Sequence, residues 1–130
     1  MSEQPRMITV RTSSGKGRGI FATRRIAAGS VIEEAPVIAM PPGEIEHLEK
    51  IALQDYYFMW GPEMQEAALP LGLCTLCNHA FDANARFVAH HDRRMMGFVA
   101  LRDIEAGEEV TINYNGHPAS QRQLWFEVLP

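Results

Sequence analysis

The amino-acid sequence predicts a mostly β fold with short helices, and three observations point there. Short runs of β-branched and aromatic residues recur along the chain, 10 Gly and 8 Pro interrupt them, and only one stretch carries an apolar stripe at helical spacing. A length of 130 residues suits one domain with one core, spanning 1–130.

MITVRT at 7–12 alternates β-branched with polar residues and predicts a strand; GKGRG at 15–19 reads as a flexible turn. IFATRRI at 20–26 predicts a second strand, AAGS at 27–30 a tight turn, and VIEEAPVIAM at 31–40 a third strand that PPG at 41–43 ends. From Glu44 the period changes. Ile45, Leu48, Ile51 and Ala52 form one stripe, and Glu44 and Glu46 favour the positive end of a helix dipole, which predicts a helix over 43–53. The aromatic continuation QDYYFMWG ends at Gly61 and Pro62. AALPLGLCTLC at 67–77 reads as a buried segment, RFVAH at 86–90 and MGFVAL at 96–101 as a hairpin, EEVTINY at 108–114 as a last strand, and ASQRQLWFEV at 119–128 as a short helix capped by Ser120. ATRRIAAG at 22–29 is echoed by ALRDIEAG at 100–107, which predicts two similar strand–turn units, each using Gly for a positive φ.

Composition narrows the function. The formal net charge of −4 argues against non-specific binding of nucleic acid, which needs a cationic surface, and is compatible with a basic protein or peptide partner. No run is apolar enough for a signal peptide or a membrane span, and two cysteines make no disulfide scaffold. The expectation is a soluble chain of a reducing compartment: cytoplasmic, or nuclear in a eukaryotic host.

CTLCNHAFDAN at 74–84 raises a metal question, because Cys74 and Cys77 have C-x-x-C spacing with His79 close behind. Structural zinc takes four ligands, commonly in two such pairs, and here there is one pair. His47, His90, His91 and His117 are not spaced as a second pair. The reading is two buried, inert thiols and no metal, with metal or redox use as the alternative. Asn78, His79 and Asn84 follow directly; on this stretch alone a hydrogen-bonded turn explains them.

Three segments taken together resemble the signature segments of SET domains, the protein-lysine methyltransferase fold. They are GKGRGIFA at 15–22, with Gly17-Arg18-Gly19 as its G-x-G turn; NHAFDAN at 78–84, with Asn78, His79 and Asn84 in register; and GEEVTINY at 107–114, with Gly107, Glu108, Glu109, Thr111 and Tyr114 matching. LQDYYF at 53–58 and PLGL at 70–73 resemble the insert of short stand-alone viral and bacterial SET proteins. The resemblance covers about residues 8–114. Ala80, Phe81 and Ala83 depart from the family pattern at packing positions, and the Cys-rich zinc-binding segment that often follows the SET core is absent from this sequence.

The resemblance implies a β-clip of several small sheets with a C-terminal pseudoknot, and transfer of a methyl group from S-adenosylmethionine to a protein lysine. It implies cofactor contacts from Lys16, Gly17, Arg18, Gly19, Asn78 and His79, and a catalytic role for Tyr114. It offers Tyr56, Tyr57, Phe81 and Phe87 as walls of a lysine channel, with Tyr56 the best placed. Trp125 and Phe126, in the segment 115–130, stand where a lid over the adenine would come from. A stand-alone core of this size also suggests a homodimer. Glu33, Glu34, Glu108 and Glu109 fit a basic substrate as surface carboxylates. The rival reading is a SET-like binding module without catalysis.

Overall fold

The computed structural model describes residues 7–13, 15 and 17–114. Among the described residues, nine strands form two sheets. The first has the order β1 (Ile8–Ser13), β2 (Gly17–Ala22), β9 (Glu109–Ile112), β6 (Asn78–His79). The second has the order β4 (Phe58–Trp60), β5 (Glu66–Pro70), β3 (Val31–Met40), β8 (Met95–Ala100), β7 (Ala85–His90). All pairings are antiparallel except β6 with β9.

Period-two alternation places the core. Val110 and Ile112 of β9 are buried while Glu109 and Thr111 are partly exposed. Ile20, Phe98, Met96, Ile26 and Ile104 join them, together with both cysteines. β8 is buried along most of its length because β3 and β7 flank it on either side.

The internal echo is a paired feature. Ile26 and Ile104 exchange two backbone hydrogen bonds, each 2.8 Å. Gly29 N–H donates to Ala100 O and Gly107 N–H to Ala22 O, again 2.8 Å each. The two strand–turn units therefore meet about a local two-fold arrangement. Gly29 and Gly107 adopt φ of +84° and +86°, the turn conformation that favours glycine. Arg25 and Asp103, at equivalent places in the echo, form an ion pair across it.

Three expectations are corrected. GKGRG is not all turn: β2 begins at Gly17, whose φ is +74°, so two of its glycines lie in the strand. The helix expected over 43–53 breaks up into a 3-10 turn (Pro42–Glu44), a four-residue α1 (Ile45–Leu48) and a second 3-10 turn (Ala52–Asp55). Ile51 is extended and half exposed, so only Leu48 of the apolar stripe is buried. The run 67–77 divides into β5 and a 3-10 turn (Leu73–Leu76). That turn forms because Glu33 reaches it across the fold: its carboxylate accepts Leu73 N–H at 3.1 Å and Cys74 N–H at 2.9 Å. No described helix is long and apolar enough to cross a membrane. The expected helix at 119–128 lies outside the described residues.

Candidate active site

The site is assembled where segment 78–84 clasps β9. Asn78 and His79 run parallel to Thr111 and Ile112 along one edge, and Ala80 N–H donates to Ile112 O. The side chain of Asn84 then binds the β9 backbone as a neighbouring strand would. Its Nδ2 donates to Glu109 O at 2.7 Å, and its Oδ1 accepts Thr111 N–H at 2.9 Å. Parallel pairing requires a crossover connection, and residues 80–108, with β7 and β8, provide it. The passage of the chain beyond Tyr114 lies outside the described residues.

On one side of the clasp is the glycine turn. Asn78 Nδ2 donates to Arg18 O at 3.1 Å and to Glu109 Oε2 at 2.7 Å, tying β2 to β6 and β9. A β-carbon at Gly19 would stand 2.5 Å from Glu109 Oε2 and 2.8 Å from Asn78 Nδ2, so only glycine leaves this amide in place. Above Gly17 there is open space, and its backbone is approachable. With Nδ2 committed to these two acceptors, the Asn78 carbonyl oxygen is chemically suited to accept from an ammonium group.

Tyr114 lies at the end of β9, and two bonds fix it. Its N–H donates to His79 Nδ1 at 2.9 Å, and its hydroxyl donates to Cys77 O at 2.5 Å. Because Nδ1 accepts, the neutral imidazole carries its proton on Nε2. Burial raises the Tyr114 hydroxyl pKa well above its ordinary value, helped by the negative fields of Cys77, Asp55, Tyr56 and Glu109. The phenol thus stays protonated at any working pH.

On the other side of Tyr114 is a cavity of about 390 Å³. Half-buried Tyr56, Tyr57, Phe58, Phe87 and Tyr114 line it, with Thr75 among them. Phe58 and Phe87 meet edge-to-face at 4.8 Å. Exposed Glu49, Gln54 and Asp55 line its mouth, along with Met59 and Met64.

Tyr56, Phe87 and Tyr114 are brought together at this cavity; Gly17, Arg18, Gly19, Asn78 and His79 gather at the glycine turn. Phe81 is not among the cavity's lining residues: its ring stands edge-on to His79, 4.6 Å between centroids, because the residue lies in the clasp rather than on the 54–58 segment. Lys16 and Trp125 lie outside the described residues. Tyr57, also expected as a channel wall, lines the cavity too. Phe58, Glu49 and Asp55 were missed; the aromatic run QDYYF was the signal for Phe58 and Asp55. The acidic surface expected for a basic substrate is largely spoken for. Glu33 binds backbone, Glu108 accepts from Asn84 and from Glu105 N–H, Glu109 accepts from Asn78, and Glu34 pairs with Arg93.

Cys74 and Cys77 are buried in the core, and a side-chain hydrogen bond with Cys77, then burial and the nearby Glu33, push the Cys74 thiol pKa well up. Among the described residues, no three His, Cys, Asp or Glu side chains gather as a metal site would require.

A family model described as SET domain matches residues 17–115. A Schizosaccharomyces pombe relative named as a histone-lysine N-methyltransferase specific for lysine 37 of H3 is 32% identical over 121 residues, covering 92% of this chain and 77% of the relative. A Yarrowia lipolytica relative, named as specific for lysine 36 of H3, is 34% identical over 121 residues, covering 83% of this chain and 15% of its own length. A Plasmodium falciparum structure provisionally described as a histone methyltransferase superposes with a TM-score of 0.70 at 27% identity, covering 85% of this chain and 95% of that one. The Chaetomium thermophilum Polycomb Repressive Complex 2, in an autoinhibited conformation bound to S-adenosylmethionine, gives 0.71 at 22% identity and covers 85% of this chain and 15% of its own. At that identity it speaks to the fold alone.

Proposed function

The chain belongs to the SET-domain family of S-adenosylmethionine-dependent protein-lysine methyltransferases, and on that premise we propose that its substrate is a histone and that Tyr114 is its catalytic residue. The observation that carries the catalytic assignment is the position of Tyr114: it is bonded to His79 and Cys77 and lines the aromatic cavity. The named activities of the relatives support the histone. A histone substrate puts the reaction in the nucleus rather than the cytoplasm.

The residues present fit the cofactor. The approachable backbone at Gly17 admits it, Gly19 leaves room for the Asn78 amide, Asn78 Oδ1 suits its amine as an acceptor, and Arg18 suits its carboxylate. When bound, the cofactor supplies an electrophilic methyl group on a sulfonium. The protein's part is positioning. The lysine arrives as a cation, the half-buried aromatic walls disfavour that form, and its proton leaves to solvent at the exposed end of the cavity, so the amine reaches Tyr114 with a lone pair. The Tyr114 proton is committed to Cys77 O, so toward the amine its oxygen acts as an acceptor, turning the lone pair in line with the methyl. The aromatic ring beside it and the preorganised hydroxyl stabilise the positive charge that arrives on nitrogen.

The test is transfer of labelled methyl groups to purified histones, with cofactor binding measured alongside. Wild-type protein should label a histone, and Tyr114→Phe should bind cofactor yet turn over at least about a hundredfold more slowly. Cofactor binding without labelling of any histone would overturn the substrate. Undiminished turnover by Tyr114→Phe would overturn the catalytic assignment.

A further inference from the structure

The cavity beside Tyr114 is larger than one lysine side chain needs, and its two ends differ in chemistry. The inner wall is aromatic and half-buried; the mouth carries Glu49 and Asp55, both exposed. Among the described residues no Lys, Arg or His lines it. Among the described residues neither of these carboxylates makes an ion pair, whereas Glu34 pairs with Arg93, Asp82 with Arg102, and Asp103 and Glu105 with Arg25. Their fields reach inward: Glu49 raises the pKa of the Tyr57 hydroxyl, after burial, and Asp55 contributes to that of Tyr114. Two carboxylates on one cavity, with no cation beside them among the described residues, match a second positive side chain of the same substrate.

We propose, resting on the lysine-methyltransferase reading, that the cavity takes two cationic side chains at once: the target lysine against Tyr114, and a nearby Lys or Arg held at the mouth by Glu49 and Asp55. Glu49 and Asp55 are then specificity determinants, and the substrate class is a peptide with a second basic residue close to the target. The aromatic faces around the mouth add to this, since guanidinium and ammonium groups both favour π surfaces. Placing the second charge at the exposed end has a physical reason. The target amine must be neutral to react, and a carboxylate pair beside it would hold its proton; at the exposed mouth, screened by solvent, the same pair recruits the substrate with a weaker hold on that proton.

The experiment uses the full chain and synthetic peptides carrying one target lysine, with each neighbouring position set in turn to Arg, Gln or Glu. Both kcat/KM for methyl transfer and the Kd of labelled peptide are read. At low salt, one or two positions should favour Arg over Gln by about fivefold, the effect of a good exposed ion pair, and high salt should shrink it. The Arg-to-Gln ratio should fall toward one in Glu49→Gln and in Asp55→Asn, which keep shape and lose charge. Glu49→Lys with Asp55→Lys should invert the preference to Glu. Thermal melting and cofactor binding show that each variant is folded. An equal ratio in wild type and the double variant, or no preference at any position, overturns the proposal. Charge-dependent peptide binding without methyl transfer would sustain it while counting against the methyltransferase reading. Charge-independent methylation would do the reverse. Cofactor-bound protein that neither binds nor methylates any peptide would remove both.

Discussion

Replacing Asn84 tests the clasp directly, because a single side chain closes it. Asn84 is 2% exposed, and its amide makes three hydrogen bonds: to Glu109 O, to Thr111 N–H and, at 3.1 Å, to Glu108 Oε2. Asn84→Ala deletes all three. It leaves one backbone acceptor and one backbone donor of β9 without their partner, each costing about 1–2 kcal/mol, so the expected loss is about 3 kcal/mol. Against a typical domain stability of about 5–15 kcal/mol this is large, and for a chain of this size it lowers Tm by roughly 10 °C. Urea unfolding with a fitted m-value is the assay, since an unchanged m places the effect in the folded state. Asn84→Asp adds a signed check. Its carboxylate can still accept from Thr111 but cannot donate to Glu109 O, and it faces Glu108. Its folded-state pKa is therefore raised above the unfolded value, so its penalty is greatest at neutral pH and shrinks as pH falls and the acid regains a donor proton. A loss below about 1 kcal/mol in Asn84→Ala, or a pH-independent penalty in Asn84→Asp, would refute the clasp.

Four further outcomes follow from the same geometry. Gly19→Ala pushes a methyl into Asn78 Nδ2 and Glu109 Oε2, so cofactor Kd, read by calorimetry, should rise by about tenfold or more, about 1.4 kcal/mol, while the protein stays folded. Cys74→Ala and Cys77→Ala should each cost on the order of 1 kcal/mol in denaturant titrations yet keep methyl transfer, because the acceptor for Tyr114 is the Cys77 carbonyl and not its thiol. The Tyr114 hydroxyl has its folded pKa raised above the unfolded value near 10, so its contribution is fully present below about pH 10 and is lost as pH rises beyond; Tyr114→Phe should flatten that alkaline loss in melting curves. Light scattering will test the homodimer proposal, for which half-exposed Ile38 and Leu71 supply apolar surface; a monomer at all concentrations would end it.

Strand content and the hairpin at 85–100 were legible because period-two patterning is local and needs no partner to be seen. The gathering of residues 17–19, 78–79 and 114 was legible only through the family resemblance, since nothing in spacing brings segments sixty residues apart together. The broken helix at 42–55 was hidden by its stripe: the apolar periodicity is present, but Ile51 turns out of it and carries the chain into QDYYF, which must leave the helical path to wall the cavity. Glu33 shows a different limit. It was taken for a surface carboxylate on residue type, yet its partners, Leu73 and Cys74, are forty positions away, and only the 3-10 turn exposes their N–H groups to it. Phe81 shows the same limit. A large aromatic in a signature segment suits a channel wall, and it is the clasp geometry that turns its ring to His79 instead.

The run CTLCNHA looked like chemistry at its sulfurs, but its contribution comes from the backbone and from the two residues after it. The 3-10 turn that Glu33 caps sets Cys77 in an extended conformation, with φ −60° and ψ 132°, and β6 continues from there. That geometry aims Cys77 O at the Tyr114 hydroxyl and His79 Nδ1 at the Tyr114 N–H. Both bonds to Tyr114 thus come from one seven-residue stretch, and the next-door Asn78 holds the glycine turn. A displacement of the 74–79 segment would therefore move the glycine turn, the proposed cofactor side, and the aromatic cavity, the proposed lysine side, together. That rigid coupling suits an in-line transfer, in which the two reactants gain from being held in one frame rather than from any acid or base of unusual strength.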